Sequence, residues 1–303
     1  MRTLNKTTWS LFIGILAVST ASIFIRNAQE SLPSSLIAAG RLGLATLILA
    51  PFSAIQAAKD YRKLPRSERL HVILAGVFLG FHFIIWIRSL EMTTVASSVI
   101  LVTTTPVWVA MFSPLLLKEK IERSVALGLV VALCGIVILF WGPSLFADIP
   151  SHGVQSWVGN ILALCGAWMA AAYTITGRKT RAALPLRSYV FLIYGIAALV
   201  ACLFSISDLQ KGIEPTWDGL LWVFLLALVP QVIGHTLFNR AVREMPAVYA
   251  SIALLGEPIG SILLAWFFLS EKPGLFDMVG GVFVILGILL AFRKRQDAVQ
   301  PLE

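Results

Sequence analysis

The chain has 303 residues, of which 58% are apolar and only 13% charged, and its mean hydropathy is +0.85. A soluble domain averages roughly 45–50% apolar and 25% charged residues, so a soluble fold is excluded and a chain that crosses a bilayer many times is expected. The formal net charge of +8 does not call for a nucleic-acid partner, because basic residues gathered on one side of a membrane are the ordinary signal of topology.

Crossing about 30 Å of hydrocarbon takes about 20 apolar residues in a helix. Runs of that kind predict ten spans, numbered here in chain order: Trp9 to Ile25, Ser34 to Ile55, Leu70 to Leu90, Val95 to Leu117, Val125 to Trp141, Trp157 to Thr176, Ser188 to Ile206, Trp217 to Leu237, Val248 to Leu269 and Leu275 to Phe292. The first run follows Arg2 and Lys6 but lacks a clear small-residue cleavage site, so it is expected to stay as a helix. Cys134, Cys165 and Cys202 all fall inside spans without pairing or metal-ligand spacing and read as small apolar packing residues.

Lys and Arg in the loops set the orientation. With a cytoplasmic N-terminus, "KDYRKLPRSER", "KEKIER", "GRKTRAALPLR" and the tail "RKR" all fall inside, which gathers most of the 24 basic residues on one side. Both termini are therefore expected in the cytoplasm, and the protein in the cytoplasmic (inner) membrane of a prokaryote.

An internal repeat runs through the chain. "HFIIWIRSLEM" from His82 aligns with "HTLFNRAVREM" from His235, so that Glu91 meets Glu244, Val95 meets Val248 and Ser98 meets Ser251. After a one-residue slip, Pro106 meets Pro258, Glu119 meets Glu271, Gly128 meets Gly280 and Gly135 meets Gly287. Two halves of five spans follow, residues 1–145 and 146–303. Five is odd, so the second half must enter from the opposite side, and an inverted repeat with a site near the midplane is the architecture of secondary transporters.

The ten-span length, the repeat, "TTVASSVILVTTTPVWVAM" in span four and "ASIALLGEPIGSILLAWFFLSEKP" in span nine together resemble the EamA-type branch of the drug/metabolite transporter superfamily. That resemblance implies an all-α membrane protein of ten helices in two inverted five-helix repeats around a central cavity. It implies a transporter of a small metabolite, an amino acid, nucleobase or organic cation; the inverted repeat adds alternating access, with protons as the candidate coupling ion and export as the direction expected ahead of import. No enzymatic activity and no cofactor are expected. The partners expected are the small-molecule substrate and the lipid bilayer, in a monomer or weak homodimer.

Glu257 stands in the middle of span nine, where a carboxylate costs on the order of 2.5–3.5 kcal/mol. It is expected to face the bundle interior, protonated or paired, beside a kink at Pro258 that frees a backbone carbonyl. It serves either that kink or a proton or substrate. In span three His82 and Trp86 lie one turn apart on one face, and span eight repeats the arrangement with His235 and Asn239. Histidine, whose ordinary pKa is about 6.5, changes charge at physiological pH, so His82 joins Glu257 as a candidate proton carrier. Ser98 and Thr104 offer neutral hydrogen-bonding groups near Pro106. Trp108 and Trp168 sit deeper than an interfacial belt would place them and are expected, with His82, Trp86, Ser98, Thr104, His235, Asn239 and Glu257, to contact substrate. Spans one, three, four, six, eight and nine are expected around the cavity, with two, five, seven and ten outside it. Arg41, about two turns into span two, either snorkels outward or takes a role in the cavity, with snorkelling the first expectation. Gly128, Gly135, Gly280 and Gly287 read as a packing seam between spans five and ten.

Two other classes remain open. A polytopic transferase would need paired acids for a metal-bound diphosphate or a His-acid pair, and no Asp lies deep in any span. A passive channel or uniporter would leave the kinked, inverted halves without a purpose.

Overall fold

A computed structural model describes residues 2–117, 123–145, 153–213, 215–237, 240 and 256–292, and among these there are helices and no strand. The helices are α1 (Arg2–Ser19), α2 (Ala21–Gln29), α3 (Ser34–Lys63), α4 (Arg66–Leu90), α5 (Val95–Val102), α6 (Thr105–Leu117), α7 (Arg123–Leu145), α8 (Gly153–Ala183), α9 (Leu186–Leu209) and α10 (Trp217–Leu226). A π-helical segment (Ala227–His235) continues α10, and α11 (Gly256–Leu269) and α12 (Leu275–Phe292) follow. The protein is an all-α integral membrane protein. Among the described residues, seven helical stretches are long and apolar enough to cross a bilayer, and three shorter apolar ones, Val95–Val109, Gly256–Leu269 and Leu275–Leu290, accompany them.

Local sequence explains the turns. The returns between α2 and α3, α3 and α4, and α8 and α9 each use a Leu-Pro pair: Leu32-Pro33, Leu64-Pro65 and Leu184-Pro185. The residue before a proline is pushed out of the helical region, which stops one helix, and the proline's fixed φ then starts the next. All three leucines are buried, so each turn is pinned to the core. Thr94 and Thr216 cap α5 and α10, their hydroxyls accepting from the amides of Ser97 and Gly219 at 3.0 Å. Each cap satisfies an orphan donor.

The outer surface is apolar, as lipid requires: Phe52, Ile55, Trp217 and Phe267 are each at least three-quarters exposed. The packing is reciprocal between the two sequence halves. α4 lies against α8 and α9, while their repeat partners, α10 with the π segment, lie against α1, α2 and α3. α5 and α6 pack on α8 as α11 packs on α1 and α2, and α7 pairs with α12 as α3 pairs with α9. The α7–α12 seam falls on the glycines that the repeat singled out. A Cβ on Gly135 would lie 2.6 Å from the Gly280 carbonyl oxygen, and one on Gly287 would lie 2.5 Å from the Ala132 amide. Backbone meets backbone there, which only glycine permits.

One end of the bundle is knitted by polar groups. Arg26 pairs with Glu271 at 3.2 Å and donates to the Thr93 carbonyl at 3.1 Å, while Glu271 accepts from the Val95 amide at 2.5 Å. Ser97 donates to Asp277 at 2.5 Å and Thr93 to Asn160 at 2.6 Å. Glu91 accepts from Ser34 and from Arg88. Near the other end of α3, Ser188 donates to Asp60 at 2.7 Å.

The seam gives the first prediction. Gly135→Val or Gly287→Val should force α7 and α12 apart and cost about 1–3 kcal/mol, the usual penalty of overpacking, seen as a lower melting temperature of the purified protein in detergent. Gly43→Ala, whose added Cβ would meet nothing within 4 Å, should leave that temperature unchanged or raise it.

Candidate functional site

Every break in a membrane helix frees backbone groups that lipid cannot satisfy, so breaks are tolerated only inside the protein. In this chain they gather in one region. α1 gives way to α2 at Thr20, α5 to α6 at Thr103 and Thr104, and α10 to π-helical geometry around Pro230, while Glu257 and Pro258 lie in the first turn of the described part of α11. Pro106 cannot donate to the carbonyl one turn earlier, that of Val102, and the Thr105 hydroxyl takes its place at 2.8 Å. Thr103 and Thr104 likewise donate to Val99 and Leu101, both at 2.6 Å. Within the run "TTTP" the Thr105 hydroxyl replaces the bond that the proline removes, while the Thr103 and Thr104 hydroxyls add to carbonyls that their own amides already serve.

The two halves meet at these breaks. Ser19, at the end of α1, donates to the Glu257 carbonyl at 3.3 Å, and Ser261 of α11 donates back to the Ser19 carbonyl at 3.1 Å. Thr105, the repeat counterpart of Glu257, reaches the Ala167 carbonyl of α8 at 3.5 Å.

At the centre lies Arg41, which the sequence placed at the rim. It is fully buried and does not snorkel. Ile37, Ala38, Leu42 and Ala45 on the same helix are also fully buried, and this face of α3 packs against α9 and the π segment, so no path to the interface runs along lipid. Its Nε donates to Gln231 Oε1 at 2.6 Å, and Nη2 lies 3.3 Å from His235 Nε2. A guanidinium only donates, so that contact requires His235 to accept at Nε2 and carry its proton on Nδ1. The Cζ atom sits 4.0 Å from the Phe83 ring centre and 5.9 Å from that of Trp86, within cation–π range. Nη1 has no hydrogen-bond partner among the described residues.

His82, Tyr194 and Glu257 complete the group. The His82 ring stacks near Trp86 at 6.0 Å, and its Nδ1 donates to the Gly166 carbonyl at 3.0 Å. The Tyr194 hydroxyl donates to the Gln231 carbonyl at 3.5 Å. His82, Tyr194, His235 and Glu257 all lie within electrostatic range of Arg41. Spans two, three, seven, eight and nine thus contribute to one cluster. The expectation that spans two and seven stand outside it fails, because a charge inside a membrane protein can be housed only where several helices enclose it.

Of the other expected site residues, Trp108, Trp168 and Thr104 form a second group at the contact of α6 with α8. Trp108 packs edge-on against Trp168 at 5.3 Å and donates from Nε1 to the Thr104 hydroxyl at 2.9 Å. Trp108 is buried and Trp168 half-exposed. Ser98 is fully buried, 2.7 Å from the Ser89 hydroxyl between α5 and α4. Asn239 lies outside the described residues. Gln231 and Tyr194 escaped sequence reasoning, and Arg41 was noticed but assigned first to the rim. Only Arg41 carried a signal, a charge two turns inside a span; a Gln and a Tyr look like ordinary packing residues in a membrane helix.

The profile of the EamA-like transporter family matches the chain twice, over residues 6–141 and 157–293. The chain is 26% identical over 299 residues to an uncharacterized transporter, YetK, of Bacillus subtilis, covering 96% of this chain and 85% of that protein. An uncharacterized transporter of Archaeoglobus fulgidus is 24% identical over 287 residues, covering 94% and 96%. A crystal structure of a protein 16% identical in sequence superposes with a TM-score of 0.65, covering 98% of this chain and 99% of that one, which bears on the fold alone.

The hydroxyl substitution at the span-four break can be tested by a double-mutant cycle. Thr105→Val should leave the Val102 carbonyl unsatisfied and cost about 1–3 kcal/mol. Adding Pro106→Ala restores an amide to that carbonyl, so the double variant should melt nearer to wild type than Thr105→Val alone.

Proposed function

The chain belongs to the EamA-like transporter family, and from that premise we propose that it is a secondary transporter moving a small amphipathic metabolite by alternating access, with protons as the coupling ion and export as the direction. The observation that carries this reading is the cluster of the fully buried Arg41 with the half-buried His82, His235 and Glu257, which draws on helices of both sequence halves, among them the one broken at Pro230 and the one that bonds to Ser19 at the Thr20 break. Charged and titratable side chains inside a membrane bundle are costly and are kept for substrates, ions or protons. Helix breaks beside them give a bundle the joints at which two rigid halves can rock.

The double match to one family profile, and the reciprocal packing of α4 on α8 and of α10 on α1 and α2, support two inverted halves with the site between them. The basic loops support cytoplasmic termini and residence in the inner membrane of a prokaryote. His82, Trp86, His235 and Glu257 are the proposed substrate contacts at the cluster. Trp108 and Trp168 form the proposed wall where α6 meets α8.

A screen of uptake into proteoliposomes, using amino acids, nucleobases and quaternary amines with and without a pH gradient, tests the reading. Transport of no solute in any class would overturn it. For Glu257 the expectation is specific. One pH unit corresponds to about 1.4 kcal/mol, so a single coupled proton supports about tenfold accumulation across such a gradient. Glu257→Gln keeps size and hydrogen bonding but cannot titrate, so binding should persist while accumulation falls to the level without a gradient. Wild-type accumulation by that variant would move the proton to His82 or His235.

A further inference from the structure

Arg41 is a cation held away from water and without an ion-paired acid among the described residues. Its Nε is spent on Gln231 and its Nη2 on His235, both neutral partners, while Nη1 is buried and open. The rings of Phe83 and Trp86 cover the guanidinium but supply no hydrogen-bond acceptor for that nitrogen. An uncompensated buried charge is among the most costly features a protein can keep, and a guanidinium's natural complement is a planar oxyanion.

Resting on the transporter reading above, we infer that Arg41 is the anchor for a carboxylate carried by the transported molecule, received at Nη1. The geometry selects this class of anion. One free nitrogen suits a singly charged oxyanion, whereas a phosphate dianion would need several donors. The surrounding rings of His82, Phe83, Trp86 and His235, with centres 4.7–6.4 Å apart, offer an apolar wall to the rest of the molecule. Glu257 in turn favours carboxylates that also carry an amine, and Gln231 and Tyr194 act as positioning residues that hold the guanidinium and the π segment in register.

The test compares matched pairs that differ only in the anionic group: leucine with leucinamide, phenylalanine with phenylalaninamide, and isocaproate with isocaproamide. Binding to the purified full chain is read as a thermal shift, and transport as competition in proteoliposomes loaded with whichever solute the wider screen finds to move. The carboxylates should bind or compete roughly ten- to hundredfold better than their amides, as expected for losing one buried charge-assisted hydrogen bond. Arg41→Gln should bring that ratio toward one, and Arg41→Lys, which keeps the charge without the fork, should lower it partly. Should Arg41→Gln fail to fold, the wild-type ratio decides alone. Equal binding of acids and amides, a ratio that survives in folded Arg41→Gln, or a set of transported solutes that all lack a carboxylate would overturn the inference and leave the transporter reading standing. Movement of no solute of any class would overturn both.

Discussion

In hydrocarbon there is no water to accept a hydrogen bond, so every backbone amide and carbonyl must find its partner within the protein. The rest of this structure follows from that constraint. It makes every described element helical, and it makes each interruption of a helix a local problem with a local solution. At span four the solution is written in the sequence as "TTTP", where three hydroxyls donate to carbonyls in the turn that the proline disrupts. At span one Ser19 and Thr20 donate to the carbonyls of Ile15 and Ala17 and join the break to α11. At span eight the chain widens into a π-helical segment around Pro230, a geometry associated with functional sites.

The same constraint decides where a charge can live. A guanidinium in a single membrane helix would seek the interface, but in a bundle it can be enclosed if neighbours supply acceptors. Gln231 and His235 do so because the π segment presents them toward α3, and the rings of Phe83 and Trp86 cover the guanidinium because α4 packs between α3, α8 and α9. The cluster is thus a product of helix packing, and the packing in turn rests on small residues. Gly166 lies against the backbone of Trp86, Gly234 against Val18, and Gly135 and Gly287 on the seam of α7 and α12. Close approach at these points draws elements distant in sequence together, those at Gly166 and Gly234 involving the helices that carry Trp86 and His235.

Much of this was legible before any coordinates. The apolar runs, the repeat around His82 and His235, and the glycine seam are all local or periodic features, and periodicity survives in a one-dimensional string. His82, Trp86, His235 and Glu257 were legible as a set because polar and aromatic residues deep in apolar runs are rare enough to notice. Gln231 and Tyr194 were not, since each gains its meaning from a partner far away in sequence. Ser98 and Thr104 read as free hydroxyls, yet one lies against Ser89 and the other is bonded to Leu101 and Trp108.

The sequence by itself determined the solvent, the helical class, the kinship of the two halves and the family, because each of these depends on composition, run length and repeated order. Only the tertiary structure decided the fate of Arg41. A position two turns from a helix end leads equally to the interface or to the bundle axis, and the rotation of that helix against its neighbours settles which. That rotation is set by side chains from α4, α9 and the π segment packing on one face of α3, a many-body contact that no single stretch of sequence encodes.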